Sequence, residues 1–378
     1  MNSTVQSLLS EGLEACRDRE SRAFDKAAAG ASGIVLCGAG GLGRKVLAVL
    51  RRAGIEPLAF ADNNRSLWGS RVEGVEVLDP AEAGSRYGET AAFVLTIWAS
   101  WNDPTQDQMA ALRNLGCHTA IPFPVLGWKY PAALMPHVQI DLPSRVHEQA
   151  GAVLACADLW SDEGSRREYA AQLQWRLHAD FSALGRALPA QYWQPDLVRL
   201  DDRAVFVDAG AFDGDTLVQF VEFTGGRFRR AYAFEPDAGN FRRLEERLSR
   251  LPESVRCRVS AYQQAVGNVD GYLPFTGGIG AGSKIGGDQR VACVTLDAVL
   301  PEPPSYIKYD VEGFEPEAVE GSRRIVSGRK PALAVCVYHV QDHLWRLPLQ
   351  IHSINPNYRF YLRPHGEIWE TVCYAVAE

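Results

Sequence analysis

Acidic residues and glycines with a distinctive spacing fall in one short stretch, Val205–Leu217, which has the sequence VFVDAGAFDGDTL. Asp208 ends an apolar run typical of a buried strand. Gly210 and Gly214 allow the backbone to turn sharply and to approach a ligand closely. A second apolar run, AYAFEP, ends at Glu235, where an α/β nucleotide-binding fold keeps an acid for ribose hydroxyls. Two acids at neighbouring strand ends predict one ligand-binding crevice.

The glycine spacing indicates which cofactor this crevice suits. The dinucleotide fingerprint is G-x-G-x-x-G, whereas this stretch has the pattern D-x-G-x-x-x-G. That pattern resembles motif I of the class I S-adenosylmethionine-dependent methyltransferases. Their cofactor carries a sulfonium, an ammonium and a carboxylate but no phosphate, which suits acids beside open backbone carbonyls. The alternative is an ordinary strand, turn and helix of another α/β enzyme, because this loop type is common in doubly wound folds.

A second glycine pattern lies much earlier in the chain, after the apolar run GIVLC. Gly38, Gly40 and Gly43 satisfy G-x-G-x-x-G, and the next apolar run ends at Asp62, so the dinucleotide-type fingerprint is complete with its acid. The following stretch, DNNRSLWGSRVEGVEVLDP, resembles the nucleotide-sugar-binding domains that precede sugar-modifying enzymes. We predict a second nucleotide site here, with a purely structural or dimerising glycine loop as the alternative.

The order of apolar runs predicts an α/β protein with two doubly wound Rossmann-like domains joined by a helical bridge. In the second domain, alternating strands and helices indicate a parallel sheet, and the last two strands, without a helix between them, indicate an antiparallel edge hairpin. The predicted boundaries are an N-terminal helix over 1–30, a Rossmann-like nucleotide-binding domain over 31–130, the bridge over 131–202 and a class I methyltransferase domain over 203–378.

Composition narrows the range of partners. The 378 residues have a net charge of -7, which disfavours nonspecific binding to nucleic acid or to anionic membranes. Eight cysteines without a C-x-x-C pair are typical of buried thiols in a reducing compartment. With no apolar run of signal-peptide or membrane-spanning length, we expect a cytoplasmic protein that acts on a small or carrier-linked molecule. The sequence leaves open whether the chain forms a homo-oligomer.

The C-terminal domain as a whole resembles the FkbM family of methyltransferases. The resemblance is carried, in this order, by FVDAGAFDGDTL, AFEPD, QAVG, VTLDAVL, YIKYDVEGFEPEAVEG, YHVQDHLWRLPLQI, NYRFYLRPH and ETVCYAV. The bridge segments DEGSRREYAAQLQWR and QYWQPDL also look like the region preceding the core in members with an extra N-terminal domain. The resemblance implies S-adenosylmethionine-dependent methyl transfer, usually to oxygen, with sugars, polyketide hydroxyls and carboxylates among the family's acceptors.

We therefore predict O-methylation of a small acceptor, with a sugar or glycan hydroxyl preferred and a nucleotide-linked or carrier-linked sugar included. One alternative is methylation of a carboxylate or another small molecule. A second is a non-catalytic protein that binds the cofactor or regulates a partner. An NAD-dependent oxidoreductase using the Gly38 loop is a weaker third, because no catalytic domain of that class follows the loop.

The resemblance also implies residue roles. Asp208, Gly210 and Gly214 would cradle the methionine end of the cofactor, Glu235 its ribose, and Gln264 with Ala265 its adenine. The full cofactor set is Asp208, Gly210, Phe212, Asp213, Gly214, Asp215, Glu235, Pro236, Gln264, Ala265 and Asp310. We expect the acceptor to be bound by Glu312 and by residues on flanking segments, namely Tyr192, Asp342, His343, Arg363, His365 and Glu370. For Tyr192 the alternative is packing between domains.

Two residues are predicted to carry the chemistry, His339 as general base and Asp310 as the group that positions the acceptor or the cofactor's ammonium. A divalent metal held by acids such as Asp310 is the alternative way to acidify a hydroxyl, although the spacing contains no metal motif. The glycine-rich stretch Gly277–Gly287 is predicted to be a mobile flap that places Ser283 and Lys284 over the ligand. Its alternative is a hairpin tip without a role.

Overall fold

The computed structural model describes residues 3–97, 104–278 and 283–377 and divides the chain into two compact units. Unit 1 comprises 1–154, 168–187 and 366–368, and unit 2 comprises 155–167, 188–365 and 369–378. The stretch predicted as a bridge, 131–202, is thus divided between both units. Within the described residues, no helix has the length and apolar character that a membrane crossing requires.

The elements from the start of the chain to residue 178 include two helices that contribute residues to both units, α9 and α10. In order they are α1 (Ser3–Leu8), α2 (Leu13–Ala27), β1 (Gly33–Cys37), α3 (Gly41–Arg52), β2 (Ala59–Ala61), a 3₁₀ turn (Arg65–Leu67), β3 (Arg71–Val72), β4 (Val75–Leu78), α4 (Pro80–Tyr87), β5 (Ala91–Leu95), α5 (Thr105–Asn114), β6 (Thr119–Pro122), α6 (Phe123–Lys129), α7 (Pro131–Leu134), α8 (Pro143–Glu148), α9 (Ala150–Ala157) and α10 (Glu163–His178).

The elements that follow residue 200 all belong to unit 2. They are β7 (Val205–Ala209), α11 (Asp215–Phe223), β8 (Arg230–Phe234), α12 (Ala238–Ser249), α13 (Glu253–Arg256), β9 (Val259–Tyr262), β10 (Ala265–Val266), β11 (Gly271–Thr276), β12 (Lys284–Ile285), β13 (Gln289–Val294), α14 (Leu296–Val299), β14 (Tyr306–Tyr309), α15 (Glu315–Glu320), α16 (Arg323–Gly328), β15 (Ala332–Cys336), α17 (His343–Ile354), β16 (Tyr358–Pro364) and β17 (Thr371–Ala377).

Unit 1 contains a six-stranded sheet with the order β3-β4-β2-β1-β5-β6. All pairings are parallel except the short β3–β4 pair. The central strands β1 and β5 are apolar and buried along most of their length, as parallel strands with both faces covered require. The glycine loop after β1 leads directly into α3, so it lies at a carboxyl end of this sheet.

Unit 2 is built on a seven-stranded sheet with the order β16-β17-β15-β14-β7-β8-β9. Only the pairings of β17 are antiparallel, so β16 and β17 form the predicted edge hairpin. The strand order reverses between β7 and β14, which pair in parallel. The predicted α/β class with parallel-dominated, doubly wound sheets is therefore confirmed. In such a sheet, ligands bind outside the carboxyl ends of the strands at the reversal point.

Unit 2 also contains a four-stranded sheet with the order β10-β13-β11-β12. The run VSAYQQAVG contributes β9 to the large sheet and β10 to this smaller one. The reason is a tight turn in which the Gln264 N–H donates to the Tyr262 carbonyl at 2.9 Å, which ends the pairing with β8. Ala265 and Val266 then pair with Cys293 and Val294 of β13.

Buried aromatic side chains pack between and against β7 and β14. Phe206 of β7 stacks on its register partner Tyr306 of β14, with 5.6 Å between ring centroids. Phe220 of α11 stacks on Phe206 at 4.7 Å, and Trp193 meets Phe206 edge-on at 5.3 Å. All four side chains are buried, and such contacts strengthen a core beyond simple area burial. These contacts hold the amino-terminal halves of β7 and β14 in register with each other.

Candidate functional site

The turn after β7 lies directly against the end of β14. Gly210 has φ 84°, in the left-handed region, and a Cβ built on it would lie 1.8 Å from the Asp310 carbonyl oxygen. The Gly210 N–H donates to the Phe234 carbonyl at 3.0 Å, which ties the turn to β8 as well. Only glycine satisfies both the backbone angle and this approach. The D-x-G pattern recognised in the sequence thus joins three strand ends in one place.

Lys308, which sequence reasoning missed, is the buried cation of this region. Its Nζ donates to Asp208 Oδ1 at 2.9 Å and to the Gly210 carbonyl at 2.8 Å, and lies 3.6 Å from Asp310 Oδ2. Burial opposes its charge, but Asp208 and Asp310 raise the pKa of Lys308 above its usual range. Burial also raises the pKa of Asp208 to about 6. The signal in the sequence is a lysine between apolar residues of a buried strand, YIKY.

Glu235, the predicted ribose acid, connects the turns after β7 and β8. Its Oε2 accepts the Phe212 N–H at 2.9 Å, and its Oε1 accepts the Asp237 N–H at 2.9 Å and Asn240 Nδ2–H at 3.2 Å. Phe212 has φ 49°, an angle rare for residues other than glycine. Burial raises the pKa of Glu235 to about 7. The carboxylate is therefore placed at the crevice and its ionisation falls near neutral pH.

Asp237 joins the glycine-rich stretch to α12. Its Oδ1 caps the helix by accepting the N–H groups of Gly239 and Asn240, at 2.8 and 2.9 Å. Its Oδ2 accepts the Gly278 N–H at 2.6 Å and the Ser283 hydroxyl at 3.1 Å. Residues 279–282, the middle of the predicted flap, lie outside the described residues. Ser283 is buried on this acid, whereas Lys284 is exposed.

Asp310, Glu312, Glu315 and His339 converge beyond the ends of β14 and β15. The Nδ1 of His339 lies 2.8 Å from Glu315 Oε1, while its Nε2 lies 3.4 Å from Asp310 Oδ1 and 3.7 Å from Glu312 Oε2. Burial opposes protonation of His339, but Glu315 and then Glu312 and Asp310 raise its pKa to about 10. Burial favours neutral Glu315, yet His339 and His343 hold the pKa of Glu315 well below its usual range.

The neighbouring carboxylates respond differently to the same surroundings. Burial raises the pKa of Glu312 to about 7, against the opposing effect of His339. For Asp310, burial is outweighed by Lys308 and His339, so its pKa is lowered. Asp310 is therefore ionised at neutral pH, whereas Glu312, with a pKa of about 7, is partly protonated there.

Two tyrosine hydroxyls hold Asp310 from its other sides. Tyr192 donates to Asp310 Oδ2 at 3.0 Å, and Tyr338 donates to Oδ1 at 3.2 Å. Glu370 Oε2 lies 3.4 Å from the Tyr338 hydroxyl and accepts a hydrogen bond from Gln191. Tyr192 belongs to the predicted acceptor set and does reach Asp310, whereas Tyr338 and Gln191 were missed. Burial raises the pKa of Glu370 to about 7.

Other predicted acceptor residues have structural partners. Arg363 binds Asp162 Oδ2 at 2.7 Å and lies 3.4 Å from Asp196 Oδ2. Both ring nitrogens of His365 are occupied, Nδ1 by the Leu188 carbonyl at 2.9 Å and Nε2 by the Tyr374 hydroxyl at 3.0 Å. The structure therefore does not bring Arg363 and His365 into direct contact with Asp310.

Asp342 and His343 lie at the start of α17. Asp342 occupies the cap position of the helix, and its Oδ1 is buried without a partner among the described residues. His343 Nδ1 lies 3.1 Å from Glu315 Oε2, so Glu315 connects this ring to His339. His343 is buried, which places it behind Glu315 as a supporting residue.

The remaining predicted cofactor residues line the first turn of α11 and the β9–β10 turn. Gly214 is the N-cap residue of α11 and has φ 85°, in the left-handed region that favours glycine. Asp213 pairs with Arg247, and Pro236 is half-buried beside Glu235. Ala265 is buried next to Gln264, whose Oε1 is buried without a hydrogen-bond partner among the described residues.

The glycine loop of unit 1 forms a similar turn with a different acid geometry. Gly38 has φ 111°, and a Cβ on Gly43 would lie 1.9 Å from the Gly38 carbonyl oxygen. Asp62 Oδ2 accepts the Ala39 N–H at 2.7 Å, so this acid holds the loop itself. Within the described part of the chain, a Cβ on Gly40 would meet nothing within 4 Å, and Gly40 is exposed.

Comparison with known proteins agrees with this geometry. Residues 208–368 match the family model described as the methyltransferase FkbM domain. The crystal structure of a methyltransferase FkbM from Methylobacillus flagellatus KT superimposes with a TM-score of 0.79, at 22% identity, over 97% of this chain and 99% of that chain. This likeness shows that both units share its fold. No curated protein matches the chain.

Two further solved structures resemble part of the chain. A SAM-dependent methyltransferase of Aquifex aeolicus has 11% identity and a TM-score of 0.31 over 48% of this chain and 85% of its own. A candidate methyltransferase of Streptococcus mutans in complex with SAH has 14% identity and a TM-score of 0.31 over 49% of this chain and 94% of its own. The matched residues include Asp208, Glu235, Asp310 and His339, whereas Tyr192 and Glu370 lie outside the match, so residues 208–368 are similar to the methyltransferase FkbM domain.

Proposed function

We propose that unit 2 binds S-adenosylmethionine at the β7–β14 reversal point and transfers its methyl group to a hydroxyl of a small acceptor, preferably a sugar. The observation that carries this proposal is the set of acids at three neighbouring strand ends. Asp208, Glu235 and Asp310 surround a turn in which Gly210 leaves no room for a side chain. Methylation of a carboxylate, or cofactor binding without catalysis, are the alternative outcomes.

The residues present fit this cofactor. The Gln264 Oε1 atom is a buried acceptor without a partner among the described residues, which suits the exocyclic amino group of adenine. Glu235 offers a carboxylate for ribose hydroxyls, and Asp310 offers one for an ammonium group. No phosphate needs to be held here, which agrees with the D-x-G-x-x-x-G spacing. The adenine, ribose and methionine parts thus each have a matching group.

Methyl transfer asks for positioning and for removal of one proton. When bound, S-adenosylmethionine supplies a methyl group already activated by the sulfonium. Transfer of this methyl group to an acceptor oxygen would give a methyl ether, with S-adenosylhomocysteine as the leaving group. The hydroxyl proton would leave to the group around Asp310 and His339. With a pKa of about 10, His339 is mostly protonated at neutral pH, so it acts as the base only through its minor neutral form. The chain's main contribution is to hold the acceptor oxygen in line with the breaking bond.

Calorimetric titration with S-adenosylmethionine and S-adenosylhomocysteine, followed by mass spectrometry of a panel of sugars and nucleotide sugars, tests the proposal. If His339 assists proton removal, His339→Ala lowers turnover by roughly 10²- to 10⁴-fold with little change in cofactor affinity. Asp310→Asn should weaken binding as well. Absence of cofactor binding by the wild type would refute the assignment, and binding without transfer to any acceptor would favour a cofactor-binding protein.

For unit 1 we propose that the loop from Gly38 to Gly43 holds the phosphate of a nucleotide or nucleotide-linked sugar. The open front of Gly40 and the start of α3 at Gly41 support this, because the first N–H groups of a helix attract anions. Asp62 is engaged with the Ala39 N–H, so in this arrangement its role is to shape the loop.

A further inference from the structure

The acids around His339 have spacings that suit metal ligands. We propose that Asp310, Glu312 and His339 bind one divalent cation through Oδ1, Oε2 and Nε2. These oxygens lie 3.4 and 3.7 Å from Nε2, beyond an ordinary N–H···O hydrogen bond. Ligand atoms bound about 2.1 Å from one ion lie roughly 3.0 to 3.4 Å apart. Asp310 and His339 already have this spacing, whereas the Glu312 side chain, which is partly exposed, has to move closer to both to complete the site.

Glu315 orients the imidazole for this role. Its Oε1 lies 2.8 Å from His339 Nδ1 and also accepts the Val311 N–H at 2.8 Å. The side chain is fully buried, so its charge is fixed behind the ring. A carboxylate that accepts the Nδ1–H holds the ring with Nε2 toward Asp310 and Glu312, and a cation binds Nε2 in place of its proton. Carboxylate, histidine and metal occur in this order at many protein metal centres.

The local charges also favour a cation. Lys308 Nζ donates hydrogen bonds to Asp208 and to the Gly210 carbonyl, and it lies farther, 3.6 Å, from Asp310 Oδ2. On the Nε2 side of His339, two carboxylates therefore face a single imidazole. Glu11, Cys16 and His147 form a similar group in unit 1. That group has no comparable excess of negative charge, because the Arg19 guanidinium donates to both Glu11 oxygens.

The donor set indicates the class of ion. One imidazole nitrogen and two carboxylate oxygens suit Mn²⁺ or Mg²⁺ better than metals that prefer sulfur ligands. Three protein ligands leave positions for acceptor oxygens, and a cation there lowers the pKa of a hydroxyl that it binds. In this arrangement His339 is a ligand instead of a base. The catalytic consequence rests on the proposed function, whereas ion binding itself does not.

Electron paramagnetic resonance of full-length protein, stripped with a chelator and titrated with Mn²⁺, tests the site. We expect one bound ion per chain, lost in His339→Ala and weakened at least tenfold in Glu312→Gln, a near-isosteric change at a partly exposed side chain. Glu315→Gln should weaken binding about 10- to 100-fold through loss of orientation. Glu317→Gln, on the same helix α15, is the matched control and should bind as the wild type does.

No Mn²⁺ binding by the wild type, or equal binding by wild type, His339→Ala and Glu312→Gln, would overturn the proposal. Titration of S-adenosylmethionine into the stripped protein separates this failure from failure of the proposed function. Cofactor binding without any Mn²⁺ binding would remove only the metal site. Mn²⁺ binding without cofactor binding would remove only the methyltransferase assignment.

Discussion

Removal of the Lys308 ammonium should destabilise the crevice in a pH-dependent way. Lys308 and Asp208 are both buried, with 2.9 Å between Nζ and Oδ1. Removing one partner of a buried ion pair leaves an uncompensated charge and costs about 3–5 kcal/mol. We therefore expect Lys308→Met to lower the opening free energy of β7 by this amount at pH 8. Because about 1.4 kcal/mol corresponds to a tenfold change in an equilibrium constant, the protection of the β7 amides against hydrogen exchange should fall roughly 10²- to 10⁴-fold.

The direction of the pH effect follows from Asp208. Burial already raises the pKa of Asp208 to about 6 in the folded protein, with Lys308 as the opposing influence. When the pKa of a carboxyl group is higher in the folded than in the unfolded state, the folded protein becomes less stable as the pH rises through the folded-state pKa. The reason is that burial disfavours the charged carboxylate. Without Lys308 the pKa of Asp208 rises further. The deficit of Lys308→Met should therefore be largest at pH 8 and should shrink toward pH 5, where Asp208 is protonated in the variant.

Hydrogen exchange with mass spectrometry on the full chain, read on peptides covering Val205–Ala209 and corrected for intrinsic rates, measures both effects. Lys330→Met is the matched control, because Lys330 is exposed in the same unit. In the double variant Asp208→Asn with Lys308→Met, removal of both charges should recover at least half of the loss. A deficit under 1 kcal/mol at pH 8, or equal deficits at pH 5 and pH 8, would refute the reasoning.

Three shorter predictions concern the two glycine turns and the acid at the end of β8. Gly210→Ala should abolish cofactor binding, measured by calorimetry, because the new Cβ would clash with the Asp310 carbonyl. The control Gly225→Ala has φ 58° and no described atom within 4 Å of its Cβ, so it should bind the cofactor as the wild type does. Equal affinities of the two variants would contradict the steric argument. Cofactor affinity should rise with pH through about 7 as Glu235 ionises, and Glu235→Gln should bind more weakly without this dependence; an unchanged pH profile would remove Glu235 from ribose binding. In unit 1, Gly40→Asp should prevent the thermal shift of the full chain by nucleotides, and a shift retained in the variant would point to another site.

The sequence predicted residues whose position follows from strand order alone. Asp208 and Asp310 each end an apolar run, and parallel strands bring such ends to one edge, so their proximity could be expected. Lys308 could not be assigned in this way, because its role depends on which strands are neighbours. Once β7 pairs with β14 in this register, Lys308 lies opposite Asp208.

The acceptor residues depended on contacts that strand ends do not specify. Arg363 lies near the end of β16 in the hairpin, yet its partner Asp162 is 201 residues earlier in the chain. Glu315 is the first residue of α15, and nothing in its local sequence indicates that it would contact His339, 24 residues later. Such long-range polar pairs arise from packing between elements, which the periodicity of one segment does not encode.

The division of the chain between the two units has a consequence for its biosynthesis. The chain passes between the units five times, at 154–155, 167–168, 187–188, 365–366 and 368–369. Residues 366–368 belong to unit 1 but are translated after nearly all of unit 2. Domains usually fold in the order of their synthesis. Here the earlier unit receives its last residues only after most of the later unit has been synthesised, so neither unit can be separated by a single cut or exchanged as one gene segment.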